Sequence, residues 1–241
     1  MPDPSLFTHT TKGRRMELSL GTQRLIDVAL ENKAREQDSR TYLGASQLGE
    51  ECSRKMWYGF HTPKPITDPR INRIFRLGNA IEDEIVELLR MAGLTVYTED
   101  ENGNQFGFTD GKVAGHIDGV VVGLPESTKP HLFEAKSANN KKWKEFAKNG
   151  YKSHRQYWAQ IQVYMYKMEL QDALVVIYNK DTSELYTERI KLSKRDAELY
   201  ISKGKAIADM DSEPPRQYSK STFYLCKWCD YREECWKGEE E

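Results

Sequence analysis

The stretch Gly115 to Val122, GHIDGVVV, is followed a few residues later by Phe133 to Ser137, FEAKS. Both read as short strands with a charge set among apolar residues. Side chains alternate along a strand, so Asp118 shares a face with His116 and Val120. Glu134 shares a face with Lys136, while Phe133 and Ala135 point the other way. An ionised carboxylate among apolar side chains is costly unless a cation or a hydrogen-bond partner accompanies it. Two readings follow. One is a plain ion pair, or exposure on a sheet edge. In the other the strands are neighbours, and Asp118 and Glu134 meet at one divalent ion. Carboxylates are hard ligands that suit Mg2+ or Mn2+. Lys136 would then reach the same pocket, where an ammonium can orient a water or neutralise a phosphate oxygen.

Upstream, INRIFRLGNAIEDEIVELLRMAG has helical periodicity and closes at Gly93. Glu82 lies on or beside its apolar stripe with Phe75, Ile85, Val86 and Leu89, whereas Asp83, Glu84 and Glu87 face water. It either edges out to solvent or binds something. Downstream, QYWAQIQVYMY places Gln156, Gln160 and Tyr164 on one helix face beside the stripe of Trp158, Ile161, Met165 and Met168. Such a row is a polar flank, or it hydrogen-bonds phosphates or carboxylates.

Between these lies Asn139 to Trp158, NNKKWKEFAKNGYKSHRQYW. It carries Lys141, Lys142, Lys144, Lys148, Lys152 and Arg155, interleaved with Trp143, Phe146, Tyr151, Tyr157 and Trp158. It reads either as a solvated amphipathic helix with its aromatics in the core, or as a surface whose cations track a nucleic-acid backbone while aromatics stack on bases. The remaining patterns predict strands at LTVYTE, ALVVIYNK and ELYTERIKL. They also predict a helix near the N-terminus through Leu20, Leu25, Val28 and Leu30, a short helix after an N-cap at Ser46, and a helix ended by Pro214–Pro215. Helices on both sides of a central sheet give an α/β class.

Three of the four cysteines stand in CKWCDYREECW, at Cys226, Cys229 and Cys235, with C-x2-C-x5-C spacing. The 241 residues carry a formal net charge of −1, which neither requires nor rules out a nucleic-acid partner without a local basic surface. No apolar run suffices to span a bilayer, so no membrane partner is expected. The opening residues show no secretory pattern. A reducing cytoplasm is therefore expected, where clustered cysteines favour metal over disulfides. The fourth ligand is either the distant Cys52 or another residue, Cys52 being then a plain core cysteine.

In this order, Glu82 on a helix, Asp118 on a strand, Glu134-x-Lys136 on the next and Gln160-x-x-x-Tyr164 on a helix, the chain resembles the PD-(D/E)XK nuclease superfamily. Within it, the chain is similar to the RecB-like exonucleases that carry an iron–sulfur cluster, among them CRISPR-associated members and the AddB nuclease domain. Cys52 matches the cysteine before the nuclease motifs, and Cys226, Cys229 and Cys235 match the three after them. Ile117 stands where the superfamily name has Pro, and many members place His where this chain has Glu82.

The resemblance covers roughly residues 44 to 236. It implies a restriction-endonuclease-like core over 44–212, an N-terminal extension over 1–43 and a cysteine segment over 213–241. It implies a metal-dependent deoxyribonuclease, an exonuclease acting on DNA ends or single strands. Mg2+ or Mn2+ would be held by Glu82, Asp118, Glu134 and the Ala135 carbonyl, with Lys136, Gln160 and Tyr164 completing the catalytic set. Lys141, Lys142, Trp143, Lys144, Lys148, Lys152 and Arg155 would contact DNA. The four cysteines would hold a [4Fe-4S] cluster, with Zn2+ as the alternative. Recombination, helicase or CRISPR adaptation proteins would be its partners in a bacterial, archaeal or phage-infected cell. The rival functions are a non-catalytic DNA-end-binding module and a structural-zinc DNA-binding protein.

Overall fold

The structure is a computed structural model that describes residues 11–36 and 40–238, with side chains from residue 21 onward. Residues 1–10 and 37–39, expected to belong to the N-terminal extension, and the acidic 239–241 lie outside the described residues. The described residues fall into two compact units, one of 11–36 and 64–77, the other of 40–63 and 78–238. In the first unit, helix α1 spans Thr11–Arg35, longer than its leucine spacing predicts. Helix α3, Pro69–Met91, begins here. Asp68 accepts from Arg70 N at 2.7 Å and Pro69 follows it, so an oxygen cap and a ring-fixed φ start the helix together.

The second unit holds the sheets. Its larger sheet has the order β2-β5-β6-β7-β8, from Thr95–Tyr97, Gly119–Val122, His131–Ala138, Asp172–Asn179 and Leu185–Lys191. Strand β6 is central, antiparallel to β5 and parallel to β7, with Glu134 opposite Val175 and Lys136 opposite Ile177. Alternation along β6 builds two cores. Leu132 and Ala138 join Phe146, Ile161, Ile177 and their neighbours on one face. Phe133 and Ala135 join Ile81, Ile85 and Val176 on the other. Helices α4 (Asn140–Asn149) and α5 (Arg155–Lys167) contribute to the first core, and the α3 residues beyond Gly78 to the second. Helix α6 (Lys194–Ala208) packs along α5, where Trp158 Nε1 donates to Asp196 at 2.9 Å.

A smaller sheet, β1-β4-β3, is formed by Leu43–Gly44, Val113–His116 and Gly107–Asp110. GHIDGVVV is therefore not one strand. Its chain leaves the small sheet after His116 and enters the large one at Gly119, with Ile117 and Asp118 at the crossing. Two other expectations change. Ser46 lies inside a short 3-10 turn, and the N-cap of helix α2 (Ser53–His61) is Cys52 itself. Helix α6 ends at Ala208, before Pro214, because Asp209 already caps it.

Helix α2 is bound to the far end of the chain. Trp57 Nε1 donates to Met210 O at 3.0 Å, and Tyr58 donates its hydroxyl to Glu213 at 2.7 Å while its ring stacks on Tyr231. Arg54 pairs with Glu213, and Tyr218 donates its hydroxyl to Glu51 at 2.7 Å. The segment just before α2 lies directly on α5. A Cβ on Gly49 would stand 2.5 Å from Gln156 Cα and 2.8 Å from Arg155 O. Those atoms are backbone and cannot rotate away. Gly49→Ala is therefore expected to lower stability by about 1–3 kcal/mol, the usual cost of overpacking. Urea unfolding would measure it, and an unchanged midpoint would refute this contact.

Candidate active site

Strand β6 and the β4–β5 crossing bring the two carboxylates together. The Ala135 backbone N–H donates to Asp118 Oδ2 at 2.8 Å, so Asp118 is oriented by the strand that carries Glu134. Glu134 is fully buried. Its Oε1 is paired with Lys136 Nζ, and its Oε2 is buried with no hydrogen-bond partner. Glu82 is half-buried on α3, close enough to Asp118, Lys136 and Glu134 for their charges to act on it or it on them. Asp83, Glu84 and Glu87 are exposed.

Helix α5 closes the site from the other side. Gln160 Nε2 donates to the Tyr164 hydroxyl at 3.3 Å, and that buried hydroxyl feels Glu134, Lys136 and Asp118. The ring of Tyr164 comes so close to β4 that a Cβ on Gly115 would meet Tyr164 Cε1 at 2.7 Å. Gln156, one turn before Gln160, faces elsewhere and donates to Glu50 at 3.1 Å.

The electrostatics follow from burying like charges. Burial, then Asp118's charge, pushes Glu134 up to about 8 despite Lys136. The surrounding carboxylates hold the Lys136 ammonium's proton well above its ordinary range despite burial. Burial and Asp118 push Glu82 up to about 7. Tyr164 is raised far above an ordinary phenol, first by burial and then by Glu134.

An acidic centre of this kind suits a hard divalent cation, and the unpartnered Glu134 Oε2 is a vacant acceptor for one. Among the described residues, no three His, Cys, Asp or Glu side chains already stand at the spacing of one ion's ligands. His116 is exposed, and the ring of His154 packs on Phe146 at 3.9 Å, so neither joins the centre.

The basic segment divides by residue type. Lys141, Lys144, Lys148, Lys152 and Arg155 are exposed, while Lys142 donates to the Tyr157 hydroxyl at 2.8 Å. Its aromatics are buried to different degrees. Phe146 and Tyr151 are core residues, and Trp143 is half-buried with its indole N–H on the Ile177 carbonyl at 3.3 Å. Tyr157 and Trp158 also pack against the core. Phe146 and Tyr151 thus belong to the core, while Trp143, Tyr157 and Trp158 lie half-buried at its edge. Tyr151 instead stands beside the carboxylates, a position that an aromatic within a lysine-rich run does not signal.

The four cysteines meet in a second place. Cys52, Cys226, Cys229 and Cys235 carry free thiols and line one cavity together with Lys55. Burial raises the Cys226 and Cys229 thiols, and Cys52 adds to both.

No protein-family model matches the chain, and no curated protein matches it. Solved structures do. The crystal structure of SSO0001 matches with a TM-score of 0.50 at 14% identity, covering 87% of this chain and 93% of that one. An alkaline exonuclease from Laribacter hongkongensis gives 0.47 at 17% identity, with 70% of this chain and 87% of that one covered. A phage related exonuclease from Haemophilus somnus 129PT gives 0.46 at 14% identity, with 70% and 93% covered. At such identity the likeness to SSO0001 is one of fold. The chain has a mixed α/β core, in which helices flank a sheet with both parallel and antiparallel pairs.

The raised carboxylates carry a pH signature. From the ordinary 4.5, Glu82 moves to about 7 and Glu134 to about 8, so the folded state binds more protons than the unfolded one between those limits. Their contribution to stability is complete below 4.5 and lost as pH rises through 7 and 8. With EDTA present, the melting temperature is expected to fall between about pH 4.5 and 8, and Glu134→Gln to flatten that fall. An identical slope in wild type and Glu134→Gln would contradict the assignment.

Proposed function

We propose that this protein is a metal-dependent deoxyribonuclease that hydrolyses phosphodiester bonds at DNA ends or in single strands. The observation that carries the reading is a fully buried Glu134 whose Oε2 has no partner, set among Asp118, Glu82 and Lys136. Burying such a set has no structural return by itself, since apolar residues of similar volume would be as stable or more so. A bound cation gives it a purpose.

Asp118, Glu134 and Glu82 would hold Mg2+ or Mn2+, with the Ala135 carbonyl beside them. When bound, the ion would lower the pKa of a water and polarise the phosphate. Lys136 would position that water or neutralise charge on the phosphate oxygens, its ammonium kept protonated by its neighbours. Gln160 donates to the Tyr164 hydroxyl, and the pair would orient the site or the scissile strand. The exposed Lys141, Lys144, Lys148, Lys152 and Arg155 would bind the DNA backbone.

At the other end, four free thiols around one cavity fit a cluster held by four thiolates. The [4Fe-4S] cluster is the reading that the resemblance of the cysteine pattern favours, with Zn2+ as the alternative for four thiolates. The cluster would clamp the start of the core to its end and take no part in hydrolysis.

Two experiments test these readings. Asp118→Ala and Lys136→Ala are expected to lose degradation of end-labelled DNA in Mn2+ while remaining folded, and full activity in either would sink the nuclease reading. In anaerobically purified protein, Cys52→Ala is expected to lose iron as completely as Cys229→Ala. Retained iron in Cys52→Ala would show that Cys52 is no ligand.

A further inference from the structure

Tyr151 is the residue whose chemistry the fold leaves unexplained. It sits in the 3-10 turn between α4 and α5 and is fully buried. Its ring stacks on Phe146 at 5.8 Å and on Tyr157 at 5.9 Å, so the aromatic part is satisfied. Its backbone is pinned as well. Tyr151 N–H donates to Glu188 Oε2 at 2.7 Å, an oxygen that also accepts from the Tyr186 hydroxyl at 2.8 Å. Only the Tyr151 hydroxyl has no hydrogen-bond partner.

A phenylalanine would make the same stacking contacts and avoid the penalty of an unpaired buried hydroxyl. Packing therefore does not account for the oxygen. Its surroundings do. The charges nearest to it include Glu134, Lys136 and Asp118. Glu134 Oε2 is itself buried and partnerless, since Lys136 occupies Oε1. Lys136 Nζ, which holds Oε1, stands 5.8 Å from the centre of the Tyr157 ring on which Tyr151 stacks at 5.9 Å, so the two orphaned atoms lie in one neighbourhood with no hydrogen bond to each other. A buried water accepts and donates at once, and water commonly bridges such groups.

We propose that the Tyr151 hydroxyl is a positioning group of the acidic centre, holding Glu134 Oε2 through one bridging water and so fixing how that carboxylate is presented to a divalent cation. The proposal rests on the metal reading of that centre. The hydroxyl can donate to the water, the water can donate to Oε2, and Lys136 keeps Oε1. Both oxygens of Glu134 are then directed while the ring stack of Phe146 and Tyr157 keeps the phenol from swinging away.

The test uses the full chain and Mn2+ alone as probe, with wild type, Tyr151→Phe and Asp118→Ala. Tyr151→Phe is expected to melt at the wild-type temperature or above it. Its Mn2+ affinity by titration calorimetry is expected to fall roughly 10- to 100-fold, the usual effect of removing a group that orients a metal ligand. On labelled single-stranded DNA, kcat should fall while KM stays within about twofold, since the hydroxyl acts on the carboxylate and not on the DNA. A purely structural tyrosine would change stability and leave Mn2+ affinity alone. Wild-type Mn2+ affinity in Tyr151→Phe overturns the proposal. Weakened Mn2+ binding in Tyr151→Phe, with wild type binding Mn2+ but cutting no DNA, keeps the positioning role and overturns the nuclease reading instead. No Mn2+ binding by wild type overturns both.

Discussion

The constraint on which the rest depends is a carboxylate in the middle of a sheet. Glu134 sits on the central strand with β5 and β7 on either side, fully buried from bulk solvent. Desolvating such a charge costs several kcal/mol even after relaxation. Much around it compensates for that cost. Lys136 comes two residues later on the same face, because the pleat repeats every second residue. The Ala135 amide turns Asp118 inward from the crossing between the two sheets. Tyr164 and Tyr151 supply hydroxyls from the α5 side, and the first core excludes solvent around them. What remains unbalanced is negative charge, and that is the property a cation site must have.

Much of this is legible in the sequence. The alternation of FEAKS places Glu134 and Lys136 on one face and Phe133 and Ala135 on the other, and the two cores divide in that way. The helical stripe around Glu82 leaves Asp83, Glu84 and Glu87 in water, as they are found. Long elements with one clear period announce themselves. The crossing at Ile117 and Asp118 does not, because GHIDGVVV reads as continuous strand and only tertiary pairing decides which sheet each half joins. The stop of α6 at Ala208 was masked by a louder signal, the proline pair further on. The aromatics between Lys141 and Trp158 illustrate a general ambiguity. Interleaved Lys and Trp or Tyr describe both a stacking surface and an amphipathic helix, and only burial separates the two.

The cysteine cavity and the acidic centre share one helix. Glu50, two residues before Cys52, accepts from Lys55 at 2.8 Å and from Gln156 at 3.1 Å, and its carbonyl accepts from Lys203 at 2.6 Å. Gln156 lies one turn before Gln160, whose amide holds Tyr164. With Gly49 seated on the same stretch of α5, the helix carrying the site's polar row has its N-terminal half fastened to the thiol-bearing segment. The two centres are chemically unlike and mechanically joined.

The attachment of α2 also sets an order of events during synthesis. Arg54, Trp57 and Glu51 find their partners 159, 153 and 167 residues further along the chain. Contacts of such long range form late and slow folding, because the intervening loop must be ordered first. A ribosome will have released the whole sheet before the partners of α2 leave its tunnel. Until then α2 holds its thiol neighbour Cys52 without a lid, exposed to oxidants and stray metals. The nascent chain thus passes through an interval in which its sheet can be complete and its cysteine cavity cannot, and that interval is when the protein is chemically most vulnerable.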